Sequence, residues 1–247
     1  MKDDFIFGIH SVSEAILAGR TIDKVLMSRT ETESAHKPLV RLIREHSLTL
    51  IYVPQEKLDR ITTKNHQGVI AYLSPVQFAD IEDVIDQAFV NGKMPFILAL
   101  DRITDMRNFG AMVRSAECAG VDAILVPTKG SAQIGSDAVK TSAGALHHLP
   151  VCKTTNLAQM LRKLKSAGLR VVACSDHSTQ DLYEGDFSDE PLVLVLGSEE
   201  DGISPDVMRM SDASVCIPMY GKITSLNASV ACGIALYEVV RRRHRGK

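Results

Sequence analysis

The chain has 247 residues, 45% hydrophobic and 23% charged, a composition that suits a globular protein with a full core. It excludes a disordered segment, a collagen and a disulfide-stapled miniprotein, and no apolar run is long enough to span a bilayer. Lys and Arg number 28 against 30 Asp and Glu, and this net charge of −2 argues against indiscriminate coating of nucleic acid, leaving only local basic sites.

The amino terminus lacks the basic start and long apolar stretch of a signal peptide, so the cytoplasm is the expected location. Residues 5–75 alternate short apolar clusters (Val25-Leu26-Met27, Leu50-Ile51-Tyr52-Val53, Gly68-Val69-Ile70-Ala71-Tyr72) with helical patterns over 13–18 and 38–46. They read as a small α/β domain over 1–75, nearly neutral with ten basic and nine acidic residues. Ser74-Pro75 closes it, since the residue before proline is pushed out of helix. A linker or connecting helix over 76–93, with Asp80, Glu82, Asp83 and Asp86 as a solvated acidic stretch, leads to a larger domain over 94–247.

That domain opens with Phe96-Ile97-Leu98-Ala99-Leu100, a continuous apolar run ending in Asp101, as a buried parallel strand would. Similar runs follow at 123–126, 169–173, 192–196 and 215–217, with helical patterns over 110–119, 157–167 and 225–243 between and after them. This alternation predicts an α/β fold, a parallel sheet with helices on both faces. Five scattered cysteines (Cys118, Cys152, Cys174, Cys216, Cys232) show no C-x-x-C spacing and read as reduced core residues. In the basic tail from Arg241 to Lys247, phosphate or RNA contact and simple solubility stand level.

Ligands of open α/β sheets bind beyond the carboxyl ends of the strands, which directs attention to three loops. The first, after Asp101, enters a helix that Asn108 could cap, with Gly110 allowing close backbone approach. Arg114 on that helix either points toward the strand ends or pairs with Asp101 or Asp105. The second, Gly197-Ser198-Glu199-Glu200-Asp201-Gly202-Ile203-Ser204-Pro205, sets three carboxylates between glycines and ends in a helix start. The third, 217–230, stops a strand with Pro218 and Gly221 and starts a helix that Ser225 or Asn227 could cap. Val230, Ile234 and Tyr237 form that helix's expected apolar face. No G-x-G-x-x-G, P-loop lysine, ligand-spaced histidine cluster or G-x-S-x-G is present, which weighs against dinucleotide, P-loop, metal and serine-hydrolase chemistry.

Taken in order, the three loops resemble the signature motifs of the SpoU (TrmH) family of RNA 2'-O-ribose methyltransferases. Residues 101–120 are similar to the first, 192–204 to the second, and 217–238, with Ile217-Pro218-Met219 and Ser225-Leu226-Asn227, to the third. Phe7-Gly8-Ile9-His10-Ser11-Val12 and Asn65-His66-Gln67-Gly68-Val69 resemble the ribosomal-protein-L30e-like RNA-binding domain of the family's 23S ribosomal RNA guanosine members. Met106-Arg107 occupies the place of a common proline-containing pair, and Ala228 that of a usual valine; neither replaces a polar catalytic group.

The resemblance implies a SPOUT-type domain whose carboxyl-terminal segment forms a deep trefoil knot, an exception to the general avoidance of knots. It implies S-adenosylmethionine as cofactor, no metal, RNA as partner and a homodimer. Leu196, Gly197, Gly202, Ile217, Met219, Ser225 and Leu226 would hold the cofactor. Asn108, Arg114, Glu199 and Asn227 would surround the reacting centre, with Arg114 central and Ser229 in support. A guanidinium is an awkward base. Arg114 is therefore either a base assisted by nearby phosphate or an anchor for phosphate and hydroxyl, with Glu199 or phosphate accepting the proton. The implied substrate is a guanosine of 23S ribosomal RNA. Transfer RNA, or a non-catalytic RNA-binding or ribosome-assembly role, is the alternative.

Overall fold

A computed structural model describes residues 5–29, 33–46, 48–132, 134–187 and 190–244, so the first four residues and Arg245 to Lys247 of the basic tail lie outside the described residues. The chain divides into two compact units, one of residues 1–77 with 134–136 and one of the remainder.

The smaller unit runs β1 (Phe5–Phe7), α1 (Ile9–Leu17), β2 (Ile22–Ser28), α2 (Glu33–Glu45), β3 (Leu50–Val53), α3 (Gln55–Asp59) and β4 (Val69–Leu73). Its sheet has the order β1-β4-β2-β3, with β2 and β3 parallel and the other pairs antiparallel. Side chains alternate across the sheet. Val25 and Met27 therefore meet Val12, Ile16, Leu39 and Ile43 of α1 and α2, whereas Leu26 packs with Leu58 of α3. Helix α2 extends a turn earlier than its apolar pattern implies and carries Pro38 in its interior.

The larger unit begins with β5 (Phe78–Ala79) and α4 (Ile81–Val90). The segment read as a linker is thus built into this unit: β5 pairs with the distant strand at Val151, Asp80 caps α4 through the Glu82 N–H at 2.8 Å, and Ile81 and Ile85 enter the core. Then follow β6 (Phe96–Asp101), α5 (Met106–Cys118), β7 (Ala123–Pro127), α6 (Ser136–Thr141), β8 (Val151–Thr154), α7 (Leu157–Ser166), β9 (Arg170–Cys174), β10 (Leu192–Gly197), α8 (Pro205–Met210), β11 (Ala213–Val215) and α9 (Ala228–Arg243). The seven strands are all parallel in the order β11-β9-β10-β6-β7-β8-β5. All of β6, and β10 up to Leu196, is buried, because helices cover both faces. Each buried Leu, Ile or Val there contributes about 1.5–3 kcal/mol. Helices α4, α7 and α8 cover the face carrying Ile97, Ala99, Val193 and Val195.

Helices α5 and α9 pack against each other, α5 burying Phe109, Met112, Val113 and Ala116. Here the expected apolar face of α9 is corrected. Val230 and Tyr237 are 49% and 52% exposed, and the buried residues are Ala228, Cys232, Ala235, Leu236, Glu238 and Val239. A Cβ on Gly233 would stand 3.9 Å from Ser115 Oγ of α5, an ordinary contact distance. Glu238 is held by Arg241 at 2.6 and 2.7 Å and by Arg242 at 2.8 Å. Chiefly the Arg241 hydrogen bond holds its carboxyl below the usual range, against the opposing effect of burial. Two arginines of the basic tail thereby serve the fold. All five cysteines are free, and Cys118 is exposed rather than in the core.

Candidate active site

Because the strands are parallel, all their carboxyl ends lie along one edge of the sheet. The strand order reverses beside β6: the chain proceeds from β6 outward through β7 to β8, then crosses to β9 and inserts β10 between β9 and β6. Ligands of open α/β sheets bind at such a reversal. Gly197, the last residue of β10, pairs in register with Asp101, the last of β6, so the first two loops leave the sheet side by side.

Each loop is fixed by its own polar chemistry. Asp101 is buried and accepts the Ser204 N–H at 2.6 Å, tying the first loop to the start of α8. Ser204 precedes Pro205, which occupies the first turn of α8, and makes no side-chain cap. Asp105, not Asn108, caps α5, accepting the Arg107 and Asn108 N–H groups at 2.9 and 2.7 Å. Its carboxylate stands one residue before the helix, where such a cap works best. Asn108 is thereby released to act through its side chain. Gly110 meets α6, where a Cβ would stand 2.6 Å from the Ala138 carbonyl oxygen.

Between Ser198 and Gly202 the second loop closes on itself with backbone hydrogen bonds of 3.1 and 3.0 Å. Arg102 pins it from the first loop, with bonds of 3.3 Å to Asp201 Oδ2, 3.2 Å to the Asp201 carbonyl and 3.1 Å to the Gly202 carbonyl. Its backbone sits at φ +60°, a left-handed conformation that disfavours a side chain. No sequence motif marks Arg102, because its role depends on bonds across about a hundred residues.

The third loop brings Asn227 to the amino end of α9, where its Oδ1 accepts the Ser229 N–H at 3.0 Å and hydroxyl at 2.6 Å. One oxygen of Glu199 gathers three donors: Asn108 Nδ2 at 3.1 Å, Asn227 Nδ2 at 2.7 Å and the Ala228 N–H at 2.8 Å. Asn227 Nδ2 also donates to Asn108 Oδ1 at 3.0 Å. All three loops therefore meet at Glu199 Oε1, while Oε2 has no hydrogen-bond partner among the described residues.

Arg114 stands apart. Six residues beyond Asn108 on α5, it is displaced roughly 9 Å along the helix and about a third of a turn around it. It is exposed and has no ion pair or hydrogen bond among the described residues, so the expected alternative pairing with Asp101 or Asp105 is absent.

Two clefts flank the second loop. One is lined by Leu196, Gly197, Gly202, Ile217, Met219, Ser225 and Leu226, all seven residues expected to hold a cofactor. Asp176 and His177 join them from the end of β9, which the same strand-end rule would have flagged. Among the described residues this cleft carries four carboxylates (Asp176, Glu199, Glu200, Asp201) and no Lys or Arg. Burial pushes the thiol of Cys174, also in its wall, up to about 12, so it is neutral there. The other cleft is lined by Arg102, Thr104, Asp105, Asn108 and Gly130 and shares Glu199 with the first. Among the described residues no group of three or more His, Cys, Asp or Glu is placed to hold a metal, and no helix is long and apolar enough to cross a membrane.

This arrangement has close counterparts. A model of the SpoU rRNA methylase family matches residues 95–237, and one for RNA 2'-O ribose methyltransferase substrate binding matches residues 5–79. YacO of Bacillus subtilis strain 168, named for the TrmH family of tRNA/rRNA methyltransferases, is 34% identical over 243 residues, covering 98% of this chain and 97% of its own. The SpoU methyltransferase AviRb of Streptomyces viridochromogenes, solved in complex with AdoMet, shares the fold at a TM-score of 0.62 and 24% identity, over 98% of this chain and 91% of that one. The TrmH/SpoU tRNA modifying enzyme of A. aeolicus aligns with a TM-score of 0.57 and 32% identity over 62% of this chain and 77% of that one. The chain belongs to the SpoU (TrmH) family of RNA methyltransferases.

Proposed function

We propose that the chain transfers a methyl group from S-adenosylmethionine to a ribose 2'-hydroxyl of RNA in the cytoplasm, with a guanosine of 23S ribosomal RNA as the first candidate and transfer RNA as the second. The observation that carries this reading is the pair of clefts sharing Glu199. The first has apolar walls at Leu196, Ile217, Met219 and Leu226 for a flat base, and an acidic rim without Lys or Arg among the described residues. That chemistry suits a cofactor bearing a sulfonium and an ammonium, and repels a polyanion. When bound, S-adenosylmethionine supplies an activated methyl group on a good leaving group.

The residues of this chain then have to align the ribose hydroxyl and accept its proton. Alignment supplies about 7–11 kcal/mol in favourable cases. Asn108 and Asn227 hold Glu199 by one oxygen, leaving Oε2 to accept the 2'-hydroxyl proton. Arg114, exposed and carrying positive charge, anchors the neighbouring phosphate. Its separation from Glu199 favours this anchoring role over that of base.

The same separation supports a homodimer in which Arg114 of one copy completes the site of another. Val230 and Tyr237 on α9 expose an apolar stripe beside α5 for such a contact. Light scattering at micromolar concentration is expected to show a dimer; a monomer contradicts a composite site. We infer the trefoil knot from the family resemblance; consistent with it, Cys216 pairs with Gln180 and Leu182, and Arg242 and Arg243 reach the Tyr183 and Glu190 carbonyls. The mixed four-stranded sheet of the smaller unit is consistent with an L30e-like domain.

Incubation with S-adenosylmethionine labelled on its methyl group and either unmodified ribosomal RNA or transfer RNA tests substrate choice. Label in ribosomal RNA alone is expected, and label in transfer RNA alone selects the alternative. Arg102→Gly is a milder probe. It relieves about 1 kcal/mol of backbone strain but removes three hydrogen bonds to the second loop. Calorimetry is expected to show cofactor affinity lowered by about three- to tenfold, with a melting temperature changed by no more than about 4 °C.

A further inference from the structure

The second cleft, beside α5, has a volume of about 330 Å3, enough for one nucleoside. Four carboxylates line it: Asp105, Glu199, Glu200 and Asp201. Three of them are committed within the protein. Asp105 caps α5 through the Arg107 and Asn108 N–H groups. Glu199 holds Asn108, Asn227 and the Ala228 N–H by one oxygen, and Asp201 pairs with Arg102 at 3.3 Å. Glu200 is the exception: it is exposed and has no hydrogen bond or ion pair among the described residues.

Its position is nonetheless fixed. Glu200 follows Glu199 in the turn that the Ser198–Gly202 backbone bonds close and Arg102 pins, and it lines both clefts. Among the described residues the only Lys or Arg in the second cleft is Arg102, already taken by Asp201 and two carbonyls. A free carboxylate can only accept hydrogen bonds. The ligand that suits this wall therefore presents neutral N–H donors rather than a phosphate.

We infer that Glu200 reads the base of the nucleotide being methylated and selects guanosine, accepting the guanine N1–H and N2 amino group together. The inference rests on the proposed methyl transfer to RNA and adds the residue that distinguishes one base from another. A ribose presented to Glu199 Oε2 sets its base in the second cleft beside Glu200, provided the nucleotide is turned out of its stack. Guanine alone offers two adjacent donors on its Watson–Crick edge, and the two oxygens of one carboxylate accept both. Adenine and cytosine place a bare ring nitrogen next to their amino group, and uracil flanks a single N–H with two carbonyls. Each of those edges turns an acceptor toward the carboxylate.

The test uses the full chain, methyl-labelled S-adenosylmethionine and a fragment of the accepting RNA with guanosine, inosine or adenosine at the mapped position. Inosine keeps the N1–H and lacks the N2 amino group. It is expected to lower kcat/KM by about tenfold, and adenosine by about 100-fold. Glu200→Gln presents one acceptor and one donor, the complement of adenine N1 and N6. This variant is expected to reduce the guanosine-to-adenosine ratio at least about tenfold and to bring inosine within about threefold of guanosine. Its affinity for S-adenosylmethionine, measured by calorimetry, is expected to stay within about fivefold, since Asp176, Glu199 and Asp201 remain on the cofactor cleft. That titration also shows that the variant is folded. Equal use of guanosine and inosine by the unaltered chain, a mapped nucleotide other than guanosine, or an unchanged guanosine-to-adenosine ratio in Glu200→Gln overturns the inference and leaves methyl transfer standing. Loss of cofactor affinity with that ratio unchanged assigns Glu200 to the cofactor instead. No transfer to any RNA removes the proposed activity and the inference with it.

Discussion

Glu199→Ala is expected to lower methyl transfer by about 100-fold or more while shifting the melting temperature by no more than about 4 °C. The two effects separate because Glu199 is exposed and buries little, yet its Oε1 is where all three loops converge. Without it the Asn108 and Asn227 amides lose their common acceptor, and the Ala228 N–H at the start of α9 loses a partner. The structural cost of that lost helix-end contact is about 1 kcal/mol. The functional cost is larger, since misplacing reacting groups by about 1 Å can cost about 100-fold. Glu199→Gln keeps one acceptor oxygen and loses the charge, so its activity is expected to fall between the two. Radiolabel transfer and a thermal melt on the same preparations check this. Activity that falls only in proportion to stability would reduce Glu199 to a structural tie.

Gly197→Ala is expected to abolish measurable cofactor binding and to lower the melting temperature by several degrees. An added Cβ would lie 2.1 Å from the Gly202 carbonyl carbon, 2.2 Å from its oxygen and 2.3 Å from the Ile203 nitrogen. All three are backbone atoms, so no side chain can swing aside and the 198–202 turn has to open. Overpacking of this kind costs about 1–3 kcal/mol, and that turn separates the two clefts. Gly202→Ala provides the contrast. Its φ of +61° disfavours alanine, but no atom lies within 4 Å of the added carbon. A cost of about 1–2 kcal/mol with partial cofactor binding is expected there. Calorimetry with S-adenosylmethionine separates the cases; equal affinities for both variants would show that closure of the turn does not shape the cleft.

These sites illustrate which parts of the fold could be read in the sequence. The central strands announce themselves as unbroken apolar runs because helices cover both their faces, and a parallel sheet brings their trailing loops to one edge. The three loops were thus legible as one region, but that Asn108, Glu199 and Asn227, separated by up to 119 residues, form one group came from the resemblance to the SpoU family, which also placed Arg114 with them. Finer features depended on choices between nearby residues. Asp105 takes the cap that Asn108 could have supplied, and α9 turns Ala228, Cys232, Ala235, Leu236 and Val239 inward where Val230 and Tyr237 looked like the core face. The segment at 78–90 carried a helical pattern, but a two-residue strand pairing with β8 leaves no trace in composition. Arg102 and the separation of Arg114 from Glu199 are three-dimensional facts that spacing along the chain does not encode.

The central claim is that this chain methylates a ribose 2'-hydroxyl of RNA and that Arg114 is required although it lies outside the Glu199 cluster. The most direct measurement is transfer of labelled methyl from S-adenosylmethionine to unmodified ribosomal RNA, with Arg114→Ala in parallel and the modified ribose mapped. Label at one ribose 2'-oxygen, lost in a variant that still binds cofactor and melts at the same temperature, is the expected result. Label on a base, or undiminished transfer by Arg114→Ala, would contradict the account.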